Sequence, residues 1–280
     1  MPSKSPTLWV VATPLGNLGD ISDRARKILA SADVILAEDT RRTGKLLTNL
    51  DIKGKGFISL HDHNEEKRIA KVLEFFDEGG NAALVSDAGT PLMSDPGYRL
   101  VKACREHGVK IVPVPGPCAP VTALSACGLP PYPFVFLGFM PRKDGQMTKL
   151  FEVHGATGAT IVFFERKSRL RETLAVAYRV LGDRDFVICR ELTKDYEEFI
   201  SGSLSGHEDV SAELKGEITV VVGPPVISGP ASEEEIFRLI DQEMLSGEKP
   251  KVIARRVADR VQGWTAKAVY EKVTERKTNS

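Results

Sequence analysis

Short apolar runs recur along the first part of the chain: Leu8-Trp9-Val10-Val11-Ala12, Val34 to Ala37, Phe57 to Leu60, Ala82 to Val85 and Val109 to Val114. They lack the polar alternation of a half-exposed sheet, so each predicts a strand covered on both faces. Between them lie the amphipathic segments Ile21 to Ser31, Thr40 to Leu50, Asn64 to Glu78 and Pro96 to His107, which predict helices. In the last of these, Asp95 reads as the N-cap, Pro96 as the first helical position and Gly108 as the stop. Strand and helix alternate, which argues for a mostly parallel sheet wrapped by helices.

A second set follows the segment PGPCAP. Phe134 to Phe139, Thr160 to Phe164, Phe186 to Cys189 and Ile218 to Val222 read as strands, Arg169 to Leu181 as a helix, and Glu197 to Ile200 as a further short strand. Beyond the Pro/Gly/Ser stretch GPPVISGPAS the pattern turns purely helical. Ser232 and Glu235 make a capping box for a helix over Glu233 to Leu245. Lys251 to Gln262 and Ala266 to Arg276 predict two more helices. The expected organisation is an α/β chain with domains at 1–117 and 118–225 and a helical module at 226–280.

Three Gly/Pro-rich loops each leave a predicted strand in the first part: Thr13 to Asp20, Ser86 to Gly97 and Val114 to Pro120. In open parallel sheets, ligands collect at the carboxyl ends of the strands, where such loops gather. Glycine lets a ligand approach backbone, and proline stiffens the loop without adding a donor. Valine at Gly89 or Gly116 is therefore expected to fill space a ligand needs. TPLGNLGD is not a G-x-G-x-x-G dinucleotide loop, and neither a triphosphate P-loop nor a G-x-S-x-G elbow occurs.

Composition narrows the picture further. The 280 residues carry 38 basic and 38 acidic side chains. That balance hides a surplus of six positive charges between Lys249 and Ser280, which suggests either a polyanion contact or a solvated helical face. No apolar run approaches the ~20 residues of a membrane span, and the start is too short in apolar residues for a signal peptide. Cys104, Cys118, Cys127 and Cys189 show no CxxC spacing, so neither a metal site nor a disulfide scaffold is expected. A cytoplasmic protein without membrane attachment is the reading.

The segments VVATPLGNLGDISDRA, AEDTRRTGKLL, SLHDHNE, LVSDAGTPLMSDPGYRLV, VPVPGPCAPVTALSACGLP, FLGFMPRK and CRELTK, taken in order, resemble the ribosomal RNA small-subunit methyltransferase I family. The resemblance implies two α/β domains of the tetrapyrrole-methylase type, class III among methyltransferases, with a cofactor cleft between them, usually as a homodimer. It implies transfer of a methyl group from S-adenosylmethionine to the 2′-hydroxyl of a cytidine, cytidine 1402, in 16S ribosomal RNA of the small subunit. It places Pro14, Leu15, Gly16 and Asn17, Asp87, Ala88, Gly89, Thr90 and Pro91, and Pro115, Gly116, Pro117, Cys118 and Ala119 around that cofactor. Two departures stand out: cysteine at 118, where serine is usual in the family, and Phe164-Glu165-Arg166-Lys167, where it more often has Tyr-Glu-Ser-Pro. Two other readings compete. One is a tetrapyrrole (precorrin-type) methylase on the same fold, although its usual G-x-G-x-G-D first loop is missing. The other is a non-catalytic RNA-binding or ribosome-assembly protein.

Single residues keep alternatives. Asp87 is either a cofactor contact or a cap of its own loop. Asp39 or Thr40 caps the next helix, and Arg41 follows at a strand's carboxyl end, where the resemblance favours an RNA phosphate contact. His61-Asp62-His63-Asn64 reads as an ordinary loop with Asn64 as a cap, rather than a metal site. Asp39, His61 and Asp87 are the candidate general bases, and spacing does not choose among them. Lys194 lies in a loop that is solvated or touches substrate. Ile253, Val257 and Val261 form one stripe of a helix, and Arg255, Arg256 and Arg260, grouped on another side, are expected to meet RNA phosphate.

Overall fold

The computed structural model describes residues 6–61, 65–225, 231–261 and 263–278. The chain falls into two compact units, Met1–Pro224 and Pro225–Ser280.

The first sheet of the larger unit is built from β1 (Thr7–Val11), β2 (Val34–Ala37), β3 (Gly56–Ser59), β4 (Ala82–Val85) and β5 (Lys110–Val114). Every pair is parallel, and the order is β3-β2-β4-β1-β5. Its helices are α1 (Asp23–Ser31), α2 (Thr40–Asn49), α3 (Glu65–Asp77) and α4 (Tyr98–Glu106). Strand side chains point alternately to opposite faces. Ile35, Ala83 and Val85 accordingly pack with Leu29 and Leu47 in one core, and Leu36, Ala82 and Leu84 with Phe76 and Leu100 in another. That two-sided burial explains the continuous apolar runs of β2 and β4. The expectation of cover on both faces fails for the edge strands β3 and β5, where Gly56, Phe57, Lys110 and Pro113 are exposed because no further strand among the described residues pairs beyond the edge.

Helix α4 departs from expectation. Asp95 is not its N-cap; the helix begins at Tyr98 behind Gly97, which makes no side-chain cap and has φ +121. A Cβ on Gly97 would stand 2.9 Å from Leu84 Cδ2, so glycine is what lets the helix start against β4. Leu92 and Ser94, both with positive φ, turn the preceding loop and leave Asp95 outside the helix. The expected cap at Asn64 lies outside the described residues.

The second sheet contains β6 (Phe134–Phe139), β7 (Thr160–Glu165), β8 (Asp185–Arg190), β9 (Glu198–Ser203) and β10 (Ile218–Val222), in the order β6-β7-β10-β8-β9. Only β6 and β7 are parallel; the others pair antiparallel. Two helices here lacked a sequence signal, α5 (Ala119–Ala126) and α6 (Asp144–Gly155), whereas α7 (Leu170–Leu181) is the one read from the sequence. The sequence of α5, APVTALSA, has no polar face to give a period, and α6 fully buries only Met147 and Phe151.

The smaller unit packs α8 (Glu233–Met244), α9 (Pro250–Ala258) and α10 (Ala266–Thr278) around Ile236, Leu239, Ile240, Ile253, Val257, Val269 and Val273. Ser232 Oγ accepts the Glu235 amide at 3.2 Å and caps α8. The middle helix ends at Ala258, short of the expected Gln262, where Arg260 N bonds Val257 O in a tightened last turn. No helix among the described residues is long and apolar enough to cross a membrane.

Candidate functional site

A cavity of about 800 Å³ opens in the larger unit where loops of both sheets meet. The first sheet supplies Leu15 after β1, Glu38 and Arg42 after β2, and Asp87, Ala88, Gly89, Thr90, Met93 and Asp95 after β4. Cys118, Ala119 and Pro120 add the start of α5. The second sheet supplies Phe139, Phe164 to Ser168, Cys189, Leu192 and Gly216 to Thr219. Asp95, expected as a structural cap, thus stands at the cavity instead.

The glycine loops serve one another before they serve a ligand. Gly89 N donates to Thr13 O at 3.0 Å and Gly89 O accepts from Thr13 N at 2.9 Å. Gly89 has φ +75, and a Cβ there would lie 3.1 Å from Leu15 Cδ2. Thr90 Oγ1 donates to Pro117 O at 2.9 Å, stitching the β4 and β5 loops together. A Cβ on Gly116 would press on Ala12 Cβ at 3.0 Å. Valine at Gly116 would therefore push on the β1 loop rather than enter the cavity, whereas at Gly89, which lines the cavity, it would also crowd Leu15 and strain a left-handed backbone. Pro14, Gly16, Asn17, Pro91, Pro115, Gly116 and Pro117 do not line the cavity. Asn17 instead accepts the Gly19 amide through Oδ1 at 2.9 Å.

The three candidate bases separate clearly. Asp39 caps α2, accepting Arg41 N at 2.8 Å and pairing with the Arg41 guanidinium at 2.9 Å. The side-chain hydrogen bond from Arg41 leads the causes that hold its carboxyl at about 2, and Asp39 does not line the cavity. His61 uses its carbonyl to accept Glu65 N at 3.0 Å, and it too is not a lining residue. Asp87 alone of the three faces the cavity. Its Oδ1 accepts Asp39 N at 3.1 Å, and its Oδ2 pairs with Arg42 at 3.2 Å.

Sequence reasoning missed the wall formed after β7. Glu165 is buried and accepts Thr173 Oγ1 at 2.6 Å and Arg166 N at 2.7 Å, with Arg169 3.5 Å away. This fixes the loop that carries exposed Arg166 and Lys167 at the cavity. A strand followed at once by two cations was the available signal, at a place where the chain departs from the family pattern.

Lys194 is not a free cation. Its Nζ lies 2.9 Å from Glu191 Oε1 and 2.9 Å from Glu217 Oε2. Burial pulls its pKa down, but the two carboxylates outweigh that and the net shift is upward. In the smaller unit, Arg256 and Arg260 both pair with Glu243, at 3.4 and 3.2 Å. Lys272 pairs with Glu233 and Arg276 with Asp241. The acidic helix α8 thereby offsets much of the basic surplus. Arg255 stays exposed without an ion pair among the described residues, as do Lys251 and Lys267.

Two five-stranded sheets with a cavity at their loops define a class, and the comparisons agree. Residues 7–206 match the family model for tetrapyrrole (corrin/porphyrin) methylases. A solved cobalt precorrin-4 methyltransferase of cobalamin biosynthesis superposes with TM-score 0.57 at 20% identity, covering 78% of this chain and 94% of its own. A protein of Mesorhizobium japonicum named ribosomal RNA small subunit methyltransferase I is 42% identical over 98% of this chain and 94% of its own. The protein of that name from Vibrio cholerae is 51% identical over 70% of this chain and 68% of its own. The one from Escherichia coli O157:H7 is 40% identical over 96% and 94%. The chain belongs to the ribosomal RNA small subunit methyltransferase I family.

Proposed function

We propose that this chain transfers a methyl group from S-adenosylmethionine to the 2′-hydroxyl of a cytidine in the RNA of the small ribosomal subunit. The make-up of the cavity carries the reading: small residues at Ala88, Gly89 and Ala119, rings at Phe139 and Phe164, carboxylates at Asp87, Asp95 and Glu217, and exposed Arg166 and Lys167. Its volume of about 800 Å³ lies in the range of small-molecule sites.

The residues fit a sulfonium cofactor. The rings of Phe139 and Phe164 favour a cation, the start of α5 suits a carboxylate, and Leu15 and Leu192 offer apolar surface. When bound, the cofactor supplies a methyl carbon whose bond to sulfur breaks as oxygen attacks, the electron pair staying on sulfur. Arg166 and Lys167 hold substrate phosphate without reading base identity. Asp87, kept in place by Asp39 N–H and Arg42, is the carboxylate we assign to the departing hydroxyl proton. Fixing the reactants in line contributes about 7–11 kcal/mol, more than the 10²–10⁴-fold of a general base. Two copies are proposed to associate, since Tyr132 and Tyr98 remain 81% and 68% exposed; sedimentation measures this directly.

The test is incubation of the protein with methyl-labelled cofactor and unmodified small subunits, followed by mapping of the label. Label on a cytidine 2′-oxygen is expected. Label on a base atom, or transfer only to a tetrapyrrole, overturns the assignment.

A further inference from the structure

Gly16 and Lys194 belong to different sheets' loops, and the structure brings them into contact. A Cβ on Gly16 would lie 2.8 Å from Lys194 Cε and 2.9 Å from Cδ, and would overlap Cγ. The stem of Lys194 therefore crosses Gly16 while its head is held between Glu191 and Glu217, each 2.9 Å away. Glu191 is itself tied down: its Oε1 accepts Glu217 N at 2.8 Å and its own N donates to Glu217 O at 3.0 Å.

This anchoring holds a loop that local preference resists. Glu191 and Thr193 have φ +51 and +67, a region non-glycine residues adopt only when their surroundings impose it. Gly216, at φ +95, leaves no room for a Cβ against Glu191, so the carboxylate fits only over glycine. Leu15 and Leu192, the neighbours of these residues, share one core cluster and both line the cavity, as does Glu217.

We infer that Lys194 is a positioning residue: it latches the loop after β1 to the loop after β8 and so sets the Leu15–Leu192 wall of the cavity. An ammonium already shared by two carboxylates and only 25% exposed would have to give up both to bind RNA phosphate. The identity of the ligand that feels this wall rests on the function proposed above; the latch itself does not.

Lys194→Met keeps most of the stem and removes the charge. It is expected to raise the KM and Kd for S-adenosylmethionine several-fold, to change kcat less than about twofold, and to leave the salt slope of RNA binding unaltered. Gly16→Ala should give the same split, because its Cβ displaces the stem. In a Lys194→Ala background, Gly16→Ala should cost nothing further, so the double-variant cycle departs from additivity by at least about threefold. Additive effects, or parental cofactor affinity in Lys194→Met, overturn the latch. A shallower salt slope in Lys194→Met would make Lys194 a phosphate ligand instead. If the parent binds no S-adenosylmethionine, the proposed function fails, and amide hydrogen exchange still decides the latch. Exchange across 15–19 and 191–197 should quicken in Lys194→Met, and unchanged exchange there overturns it.

Discussion

Asp39 and Asp87 are one hydrogen bond apart, yet their environments differ, and so do the tasks proposed for them. The Arg41 hydrogen bond leads the causes that depress the Asp39 carboxyl from 3.8 to about 2, which suits a permanent helix cap and makes a poor proton acceptor. Because the folded value is the lower one, its contribution to stability is complete above the unfolded value and is lost as pH falls from near 3.8 towards 2. Asp39→Asn, still a good cap residue, should keep kcat within a few-fold and flatten the fall of Tm over that window. An activity loss of about a hundredfold or more would return Asp39 to the candidate bases. Asp87→Asn should cost the rate at least about tenfold. Gly89→Ala should destabilise the protein by about 1–3 kcal/mol in chemical denaturation, since its φ is +75 and its neighbours are close. These residues were individually legible as special. Their roles were not, because a glycine or an aspartate looks the same in sequence whether it faces ligand or another loop.

At the scale of elements, the first sheet was the easiest to read. A strand buried on both faces must be apolar throughout, and β2 and β4 begin and end where their apolar runs do. Helices were read where one face is buried and the other charged, as in α2 and α7; α5 and α6 lack that contrast. The start of α4 was misplaced because Asp-Pro is a strong local signal, and a tertiary constraint outweighed it. Gly97→Ala tests that account. With φ +121 and Leu84 Cδ2 2.9 Å from the added Cβ, it should lower stability by more than about 1 kcal/mol, measured by denaturant melts. Ser232→Ala removes the cap of α8 and should cost about 0.5–2 kcal/mol by the same measurement.

Across the whole molecule, the two compact units invite a division of labour. Deleting 225–280 should leave cofactor affinity near the parent's in calorimetry and weaken binding to RNA. The ion pairs change which cations should matter. Arg256 and Arg260 already answer Glu243, whereas Lys251, Arg255 and Lys267 have no such partner among the described residues. Replacing those three by alanine should lessen the slope of log K against log salt by about 0.7–0.9 for each phosphate no longer neutralised, and replacing Arg256 and Arg260 should change it less. Equal effects of the two sets would mean that ion pairing does not sort this surface. The amino-acid sequence by itself determined the strands of the parallel sheet, the loops that follow them, the helical end of the chain and the family, because burial and turn chemistry write themselves into local pattern and ordered motifs. Only the tertiary structure decided that Gly16 sits beneath Lys194, that Gly89 bonds Thr13, that Glu165 holds the Arg166–Lys167 loop, and that Arg256, Arg260, Lys272 and Arg276 meet carboxylates of α8. Those pairings join residues that are mostly far apart in the chain, and no local period or spacing records which distant side chain will arrive to satisfy a charge or fill the space a glycine leaves.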